Sequence, residues 1–244
     1  MEKKSVVIVE SPFLTILANS MTLYELSLEE KESIVKSSLV SASILSSWTV
    51  LEASANSFIK SIELSPMIES KLDKFPTLEK FNLILEYHQD KKIAKQCTQY
   101  QEVDNLRKFR NNLVHPREVI KETVVKTEYC DFYDTFLHEE QPTFSKTNNN
   151  KPYISYPLES SDALKALKSV INFLNYFIVD SWGLKNDSVE ALLLTRWNGS
   201  ICAGDTQIPV DELKVILRNN KIFDLDIKFL DLMRYSNQLP NKAR

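Results

Sequence analysis

Apolar residues recur at helical spacing through most of the first three quarters of this 244-residue chain. When successive residues are placed 100° apart, one broad apolar stripe predicts a long helix from about residue 28 to 62. The stripe consists of Ile34, Leu45, Trp48, Leu51, Ala55, Phe58, Ile59 and Ile62. The same periodicity predicts further helices over about 77–88, 96–114 and 161–183, of which the last is the most apolar.

Two charged residues fall on these apolar faces. Glu52 lies in the middle of the first stripe, and Arg110 lies inside the apolar arc of the helix over 96–114. That arc also holds Val103, Leu106, Phe109, Leu113 and Val114. A charge on a buried face is costly unless a partner compensates it. We therefore predict that Glu52 and Arg110 meet in space, one orienting the other.

The order of the helices and the glycine content predict the fold class. The chain has only three glycines, all of them late, whereas a β-rich fold would need more of them for its turns. Four helices in this order favour a mainly α protein built as an up-and-down four-helix bundle. We expect an N-terminal arm with a short strand over 1–19, a helical domain over 20–183 with a small β insertion over 118–158, and a C-terminal extension over 184–244 with helices near 210–219 and 225–236.

Charge, cysteines and apolar runs limit the class of protein. The net charge is −3, so any contact with nucleic acid has to come from a local basic patch. Cys97, Cys130 and Cys202 are odd in number and form no CxxC pair, which disfavours a disulfide framework or a zinc site. The first apolar run is too short for a signal peptide, and no run approaches membrane-spanning length. These features predict a cytoplasmic protein that needs neither membrane, metal nor other cofactor.

The most informative segment is the end of the helix over 96–114, which reads Arg110-Asn111-Asn112-Leu113-Val114-His115-Pro116. Arginine can grip a phosphate with two hydrogen bonds, and histidine exchanges protons near neutral pH. Together they are the minimum set for cutting RNA through its own 2′-hydroxyl. On a regular helix, however, five residues turn through about 500°, so Arg110 and His115 would point about 140° apart. Pro116 disfavours helical geometry at His115 and can relieve this.

This segment resembles the signature of the HEPN family of small helical domains, an arginine followed by a polar residue and, after four to six intervening positions, a histidine. Here Arg110, Asn111 and His115 match it. The resemblance implies a homodimer in which paired motifs line one cleft. It further implies transesterification to a 2′,3′-cyclic phosphate and a 5′-hydroxyl without a metal. Some family toxins carry a tyrosine two residues after the histidine that a partner nucleotidyltransferase modifies, whereas this chain has Arg117 there.

Basic residues around the motif form a candidate RNA contact. Arg107, Lys108, Arg110 and Arg117 lie between Asn105 and Arg117, a stretch without carboxylates. A solvated helix face is the competing interpretation. Tyr153 and Tyr156, beside Lys151, would suit base stacking, but exposed strand aromatics explain them equally well.

The remaining candidates have plainer interpretations. His115 would also suit the helix C-terminus simply as a favourable cation. His88 is expected to be a satisfied core residue, and Trp48 and Trp182 are expected in the core. His138 with Glu139-Glu140 leaves a remote metal option, while Asp224, Asp226 and Asp231 are more consistent with a solvated face than with a nuclease carboxylate cluster.

Two functions follow from these observations. The first is a metal-independent endoribonuclease in which Arg110 and His115 are catalytic, Asn111 and Glu52 support them, and Arg107, Lys108 and Arg117 bind RNA. The resemblance places it in toxin–antitoxin systems, phage defence or RNA processing, with an antitoxin or defence protein as a further partner. The alternative is a non-catalytic HEPN module that binds a partner protein or a nucleotide and uses Arg110 structurally.

Overall fold

The computed structural model describes residues 8–62, 64–116, 157–197 and 209–238. These residues are mainly helical, which confirms the predicted α class. In chain order, the elements are β1 (Ile8–Val9), α1 (Phe13–Glu29), α2 (Ser33–Ile59), α3 (Pro66–Leu72), α4 (Thr77–Gln89), α5 (Thr98–Val114), α6 (Ser160–Asn175), a π-helix (Tyr176–Trp182), α7 (Asn186–Leu193), β2 (Arg196–Trp197), α8 (Val210–Phe223) and α9 (Leu232–Gln238).

The four helices predicted from periodicity are all present. α4 and α5 match their predicted ranges within two residues, and α2 begins at Ser33 rather than near 28. The predicted helix over 161–183 is α6 continued by the π-helix, and Gly183 ends it in a left-handed conformation with φ 72°. Ile34 was expected on the buried stripe of α2, but it lies next to the start of the helix and is 76% exposed.

Helix α1 was not predicted, because its residues were interpreted as arm and strand. β1 supplies the short strand, but the helix already begins at Phe13, so the expected start of the helical domain at residue 20 falls inside α1. Its buried face includes Ser20 and Ser27, but Phe13, Leu17 and Tyr24 keep helical spacing on the same face. The helical pattern was therefore present in the sequence, and it was missed because the β-branched residues before it favoured a strand.

Buried serines join α1 to α2. The Ser20 hydroxyl lies 2.7 Å from that of Ser47 and donates to the Ser43 carbonyl oxygen at 3.1 Å. In return, the Ser43 hydroxyl donates to the Ser20 carbonyl oxygen at 2.8 Å. All three side chains are fully buried. Because serine is small and every hydroxyl has a partner, two helix backbones can approach closely without leaving an unsatisfied polar group.

The core centres on α2, which packs against α1, α4, α5, α6 and α7. Aromatic rings fill the space between α2, α4 and the π-helix. Phe81 meets Phe177 edge to face at 4.7 Å between ring centroids, and Phe58 meets Trp182 in the same way at 5.4 Å. Such arrangements add to the stabilisation from burial. Trp48 and Trp182 are buried, as predicted.

The C-terminal residues pack on the same core as the rest of the chain. α8 contacts α1, and the Tyr24 and Phe223 rings lie 4.8 Å apart. β2 pairs antiparallel with β1, so that Val9 faces Arg196. Leu213, Ile216 and Phe229 are buried in the common hydrophobic cluster. The described part of the predicted C-terminal extension therefore shares its core with the N-terminal helices.

Helix α2 is long and apolar enough to cross a bilayer by length and composition alone, which differs from the expectation that no apolar run reaches that length. Within the protein, 44% of its most apolar stretch is buried. Its serines contact α1 and Trp48 bonds to Glu52 within the same helix, so it serves as the central helix of the fold. A buried central helix passes the same test as a membrane span.

Candidate functional site

Helix α5 carries the Arg110–His115 segment and is anchored by a narrow apolar edge. Val103 and Leu106 are buried, and Phe109 and Leu113 pack partly buried against the core. Val114 was expected on the same side but is 43% exposed, because it is the last residue of the helix. The last turn of α5 is therefore held by its inner side and leaves its outer side open to solvent.

Glu52 and Arg110 meet in space, as predicted. Nη2 of Arg110 lies 3.9 Å from Oε1 of Glu52, and about a third of each side chain is exposed. Arg110 is thus half-buried at the edge of the α2–α5 contact rather than inside the core. Water reaches the pair and screens it, so its contribution to stability is small, at most about 1 kcal/mol. Its consequence is geometric, since it draws the guanidinium toward α2.

Two further side chains restrain this ion pair. The indole Nε1 of Trp48 donates a hydrogen bond of 2.7 Å to the same Oε1 of Glu52. Nη1 of Arg110 donates to Oδ1 of Asn111 at 3.2 Å. Trp48 was expected only in the core, and its bond to Glu52 was not predicted. The spacing of four residues between Trp48 and Glu52 on one helix could have revealed it.

His115 lies just outside the helix, where the chain turns away. Its backbone N–H still donates to the Asn111 carbonyl oxygen at 2.9 Å, but its φ of −126° and ψ of 67° are not helical. The predicted effect of Pro116 on this residue is confirmed. Relative to a helical φ near −63°, the side chain is rotated by about 60° around the N–Cα bond. The imidazole is exposed.

The basic stretch of α5 contains a carboxylate partner that the prediction overlooked. Asp104 lies one residue before the stretch taken as free of acids, and it accepts from Nε of Arg107 at 2.9 Å and pairs with Nζ of Lys108 at 2.8 Å. Burial alone would raise the pKa of Asp104, but hydrogen bonds from Lys108 and Arg107 outweigh it and hold the pKa below its ordinary value of 3.8. The expected patch is therefore partly neutralised.

Several predicted residues lie outside the described part of the chain. Arg117 and nearly all of the 118–158 insertion belong to this group. That insertion includes His138, Glu139, Glu140, Lys151, Tyr153 and Tyr156. The predictions for them remain as stated.

The three C-terminal aspartates do not form a cluster for metal. Asp226 pairs with Lys228 at 2.9 Å, and Oδ1 of Asp231 accepts from the backbone N–H of Arg234 in the first turn of α9. Asp224 ends α8 in a left-handed conformation. Within the described ranges, no group of three or more histidine, cysteine or acidic residues could hold a metal ion.

His88 has a polar partner but is only half-buried. Its Nε2 lies 2.9 Å from the Ser61 hydroxyl, and its ring stacks on Trp182. Burial lowers the pKa of His88. The prediction that His88 has a hydrogen-bond partner is confirmed. The residue lies at the rim of the core, however, and not in its interior.

Comparison with protein-family models, curated proteins and solved structures finds no match to this chain. The resemblance to the HEPN signature therefore stands on Arg110, Asn111, His115 and the helices that carry them.

Proposed function

We propose that this protein is a metal-independent endoribonuclease of the HEPN type. The observation that carries the proposal is the paired guanidinium of Arg110, five residues before an exposed imidazole that has left the helix. Glu52 and Asn111 hold Arg110 from two sides while about a third of its side chain stays open to solvent. A guanidinium that is fixed in position and an imidazole that is accessible to solvent suit a reaction at one phosphodiester bond.

The proposed reaction is an internal transesterification. The neutral ring of His115 removes the 2′-hydroxyl proton, and the 2′-oxygen attacks the adjacent phosphorus. Arg110 stabilises the negative charge of the pentavalent transition state. The 5′-oxygen leaves and takes a proton from a second His115 or from water. The products are a 2′,3′-cyclic phosphate and a 5′-hydroxyl, and the reaction calls for no metal.

A homodimer would supply the second histidine. In one chain, Arg110 and His115 diverge by about 140° on a regular helix, and the rotation at His115 changes this by only about 60°. Two copies of α5 facing each other across a twofold axis would place one His115 on each side of the phosphate. Mixing Arg110→Ala with His115→Ala protein tests this arrangement, because a shared cleft regains activity in mixed dimers. A strictly additive mixture with no recovery would contradict it.

Arg107, Lys108 and Arg117 are proposed to contact RNA phosphates next to the reacting one. Asp104 forms ion pairs with Arg107 and Lys108, so it competes with the RNA phosphates for both cations. Binding is therefore expected to be moderate and sensitive to salt. The cellular roles proposed with this activity are a toxin with an antitoxin, phage defence or RNA processing in the cytoplasm.

The deciding experiment is RNA cleavage in excess EDTA. The wild type should cut, and Arg110→Ala and His115→Ala should each slow cleavage by roughly 10²–10⁴-fold while keeping the helical fold. Arg110→Lys keeps the positive charge but loses the bidentate hydrogen bonding to phosphate, so it should retain only part of the wild-type rate. Lys92→Ala removes an exposed cation elsewhere and serves as the control. Equal cleavage by all variants would reveal a contaminating nuclease and remove support for the proposal.

A non-catalytic module that binds a protein or a nucleotide is the second candidate. The ion pairs of Asp104 with Arg107 and Lys108, and of Glu52 with Arg110, favour it because they use these cations within the fold. In this case the protein would bind without cutting. His115→Ala would then leave binding unchanged, and Glu52→Gln would act on stability alone.

A further inference from the structure

A cavity of about 310 Å³ lies where the last turn of α4, the end of the π-helix and α7 meet. Its polar lining comes from Ser61, His88, Asp187 and Ser188. The volume is at the lower end of the range for small-molecule sites. Ser61 follows Glu52 by nine residues, on the order of 13 Å along a helix, so this cavity is separate from the Glu52–Arg110 pair.

The π-helix shapes one wall of the cavity. π-helices are rare and often occur at functional sites. Here the last residue of the π-helix, Trp182, stacks on the His88 ring with 5.0 Å between centroids and 28° between planes. The edge contact of Trp182 with Phe58 holds the indole from another side. Two restrained aromatic rings therefore belong to the lining of this open cavity, and their flat faces and edges suit a flat ligand.

The hydrogen bonds around His88 show whether this histidine could activate Ser61 as a nucleophile or whether the cavity is suited only to binding a ligand. The Ser61 hydroxyl donates its only hydrogen to the Phe58 carbonyl oxygen at 2.6 Å. The contact of 2.9 Å with His88 must then use Nε2–H of the histidine as donor. In neutral His88 this leaves Nδ1 as a hydrogen-bond acceptor. Ser61 is therefore not activated as a nucleophile, and the cavity is suited to binding.

The charge of the lining selects the head group of the ligand. Among the described residues, Asp187 is the charged residue that lines the cavity, and no described lysine or arginine lines it. Arg234 approaches Asp187 at 3.4 Å but shares its guanidinium with the buried Glu190. A phosphate or carboxylate would meet the Asp187 charge without a cation in the lining. A protonated amine would instead donate to Asp187, with the hydroxyl of Ser188 as a further acceptor.

We propose that this cavity binds a small molecule with an aromatic body and a protonated amino group. The aromatic body lies against Trp182 and the apolar lining that includes Leu192, and the amine donates to Asp187. This site is independent of the proposed RNA chemistry, since it shares no residue with the Arg110–His115 segment.

Calorimetric titration with two matched pairs of probes tests the proposal. Tryptamine and benzylamine should bind saturably, and indole-3-propionate and phenylacetate should bind at least tenfold more weakly. Asp187→Asn should weaken amine binding by roughly three- to tenfold, a modest factor because the carboxylate is largely exposed. Ala191→Leu adds three carbon atoms to the lining of the cavity and should weaken the binding of both amines. Asp211→Asn, a change at an exposed carboxylate on α8, should bind like the wild type.

Three results would overturn the proposal. They are no saturable binding of either amine, equal binding of amines and acids, and unchanged affinity in Asp187→Asn. A thermal melt checks the fold of Ala191→Leu, and if that variant does not fold, the comparison of Asp187→Asn with Asp211→Asn decides alone.

Discussion

The carboxylate of Glu52 on α2 lies 3.9 Å from the guanidinium of Arg110 on α5, so the two charges that interrupt apolar helix faces are partners. Trp48 fixes Glu52 from within α2, and Asn111 accepts from Arg110 within α5. The pair thereby couples the central helix of the fold to the turn that presents His115. The ion pair orients the Arg110 side chain, but it adds little to the stability of the protein because both side chains are partly exposed.

Glu52→Gln should slow RNA cleavage much more than it reduces the stability of the protein. Glutamine can still accept from Trp48, so the free energy of unfolding should fall by less than about 1 kcal/mol. RNA cleavage should fall by about tenfold to hundredfold, because Arg110 loses the charge that positions it. Urea unfolding and cleavage rates measure the two effects. Glu86→Gln, at a surface pair with Lys92, is the matched control. Unchanged stability together with unchanged cleavage would mean that the pair has no role.

Asp104→Asn should strengthen RNA binding. The substitution releases Arg107 and Lys108 from their shared carboxylate, so both become available to phosphates. For single-stranded RNA, two more phosphate contacts should steepen the slope of log affinity against log salt by up to about 1.4. Binding measured by fluorescence anisotropy at several salt concentrations gives this slope. An identical slope in variant and wild type would place these cations away from the RNA.

The same carboxylate should make stability depend on acid. Hydrogen bonds from Lys108 and Arg107 hold the pKa of Asp104 below 3.8, its ordinary value in the unfolded chain. Its stabilisation is therefore complete well above pH 3.8 and is lost as the pH falls through the lower folded-state pKa. The difference in unfolding free energy between wild type and Asp104→Asn should shrink as the pH falls from about 5 through the lowered folded-state pKa of Asp104. A difference that stays constant over this range would show that Asp104 is not stabilised in its charged form.

Ser43→Leu should disrupt the contact between α1 and α2. The fully buried Ser43 faces the backbone of α1, and a larger side chain there would force the helices apart. We expect a loss of about 1–3 kcal/mol in the free energy of unfolding. Ser38→Leu on the exposed side of the same helix should change it by less than about 0.5 kcal/mol. Similar urea midpoints for the two variants would show that the serine contact tolerates separation.

The spacing of apolar residues predicted α2, α4 and α5. Buried serines did not hide α2, because its large apolar residues still form one stripe. α1 buries Phe13, Leu17 and Tyr24 at the same spacing, and it was missed because the β-branched residues before it favoured a strand. α3 was not predicted, because a pair such as Ser65-Pro66 is typical of a break between helices, although proline is also favoured in the first turn of a helix. The π-helix changes the angle per residue and is invisible to a fixed 100° step.

The features of the candidate site were also predicted only in part from the sequence. The Glu52–Arg110 pair was predictable because a charge on an apolar face requires a partner. The departure of His115 from the helix was predictable from Pro116. Asp104 was missed because the basic stretch was counted from residue 105, although spacings of three and four residues to Arg107 and Lys108 mark it as their partner. The cavity beside His88 joins α4, the π-helix and α7, and no local pattern reveals such a junction.

The most direct test of the central claim compares two oligonucleotides in excess EDTA. One is a short RNA with a defined cleavage position, and the other carries a single 2′-deoxynucleotide immediately 5′ of that position. We expect the wild type to cut the first into 2′,3′-cyclic phosphate and 5′-hydroxyl ends and to leave the second intact there, while His115→Ala cuts neither at a comparable rate. Cleavage of both oligonucleotides at equal rates, or 5′-phosphate products, would contradict a reaction through the 2′-hydroxyl.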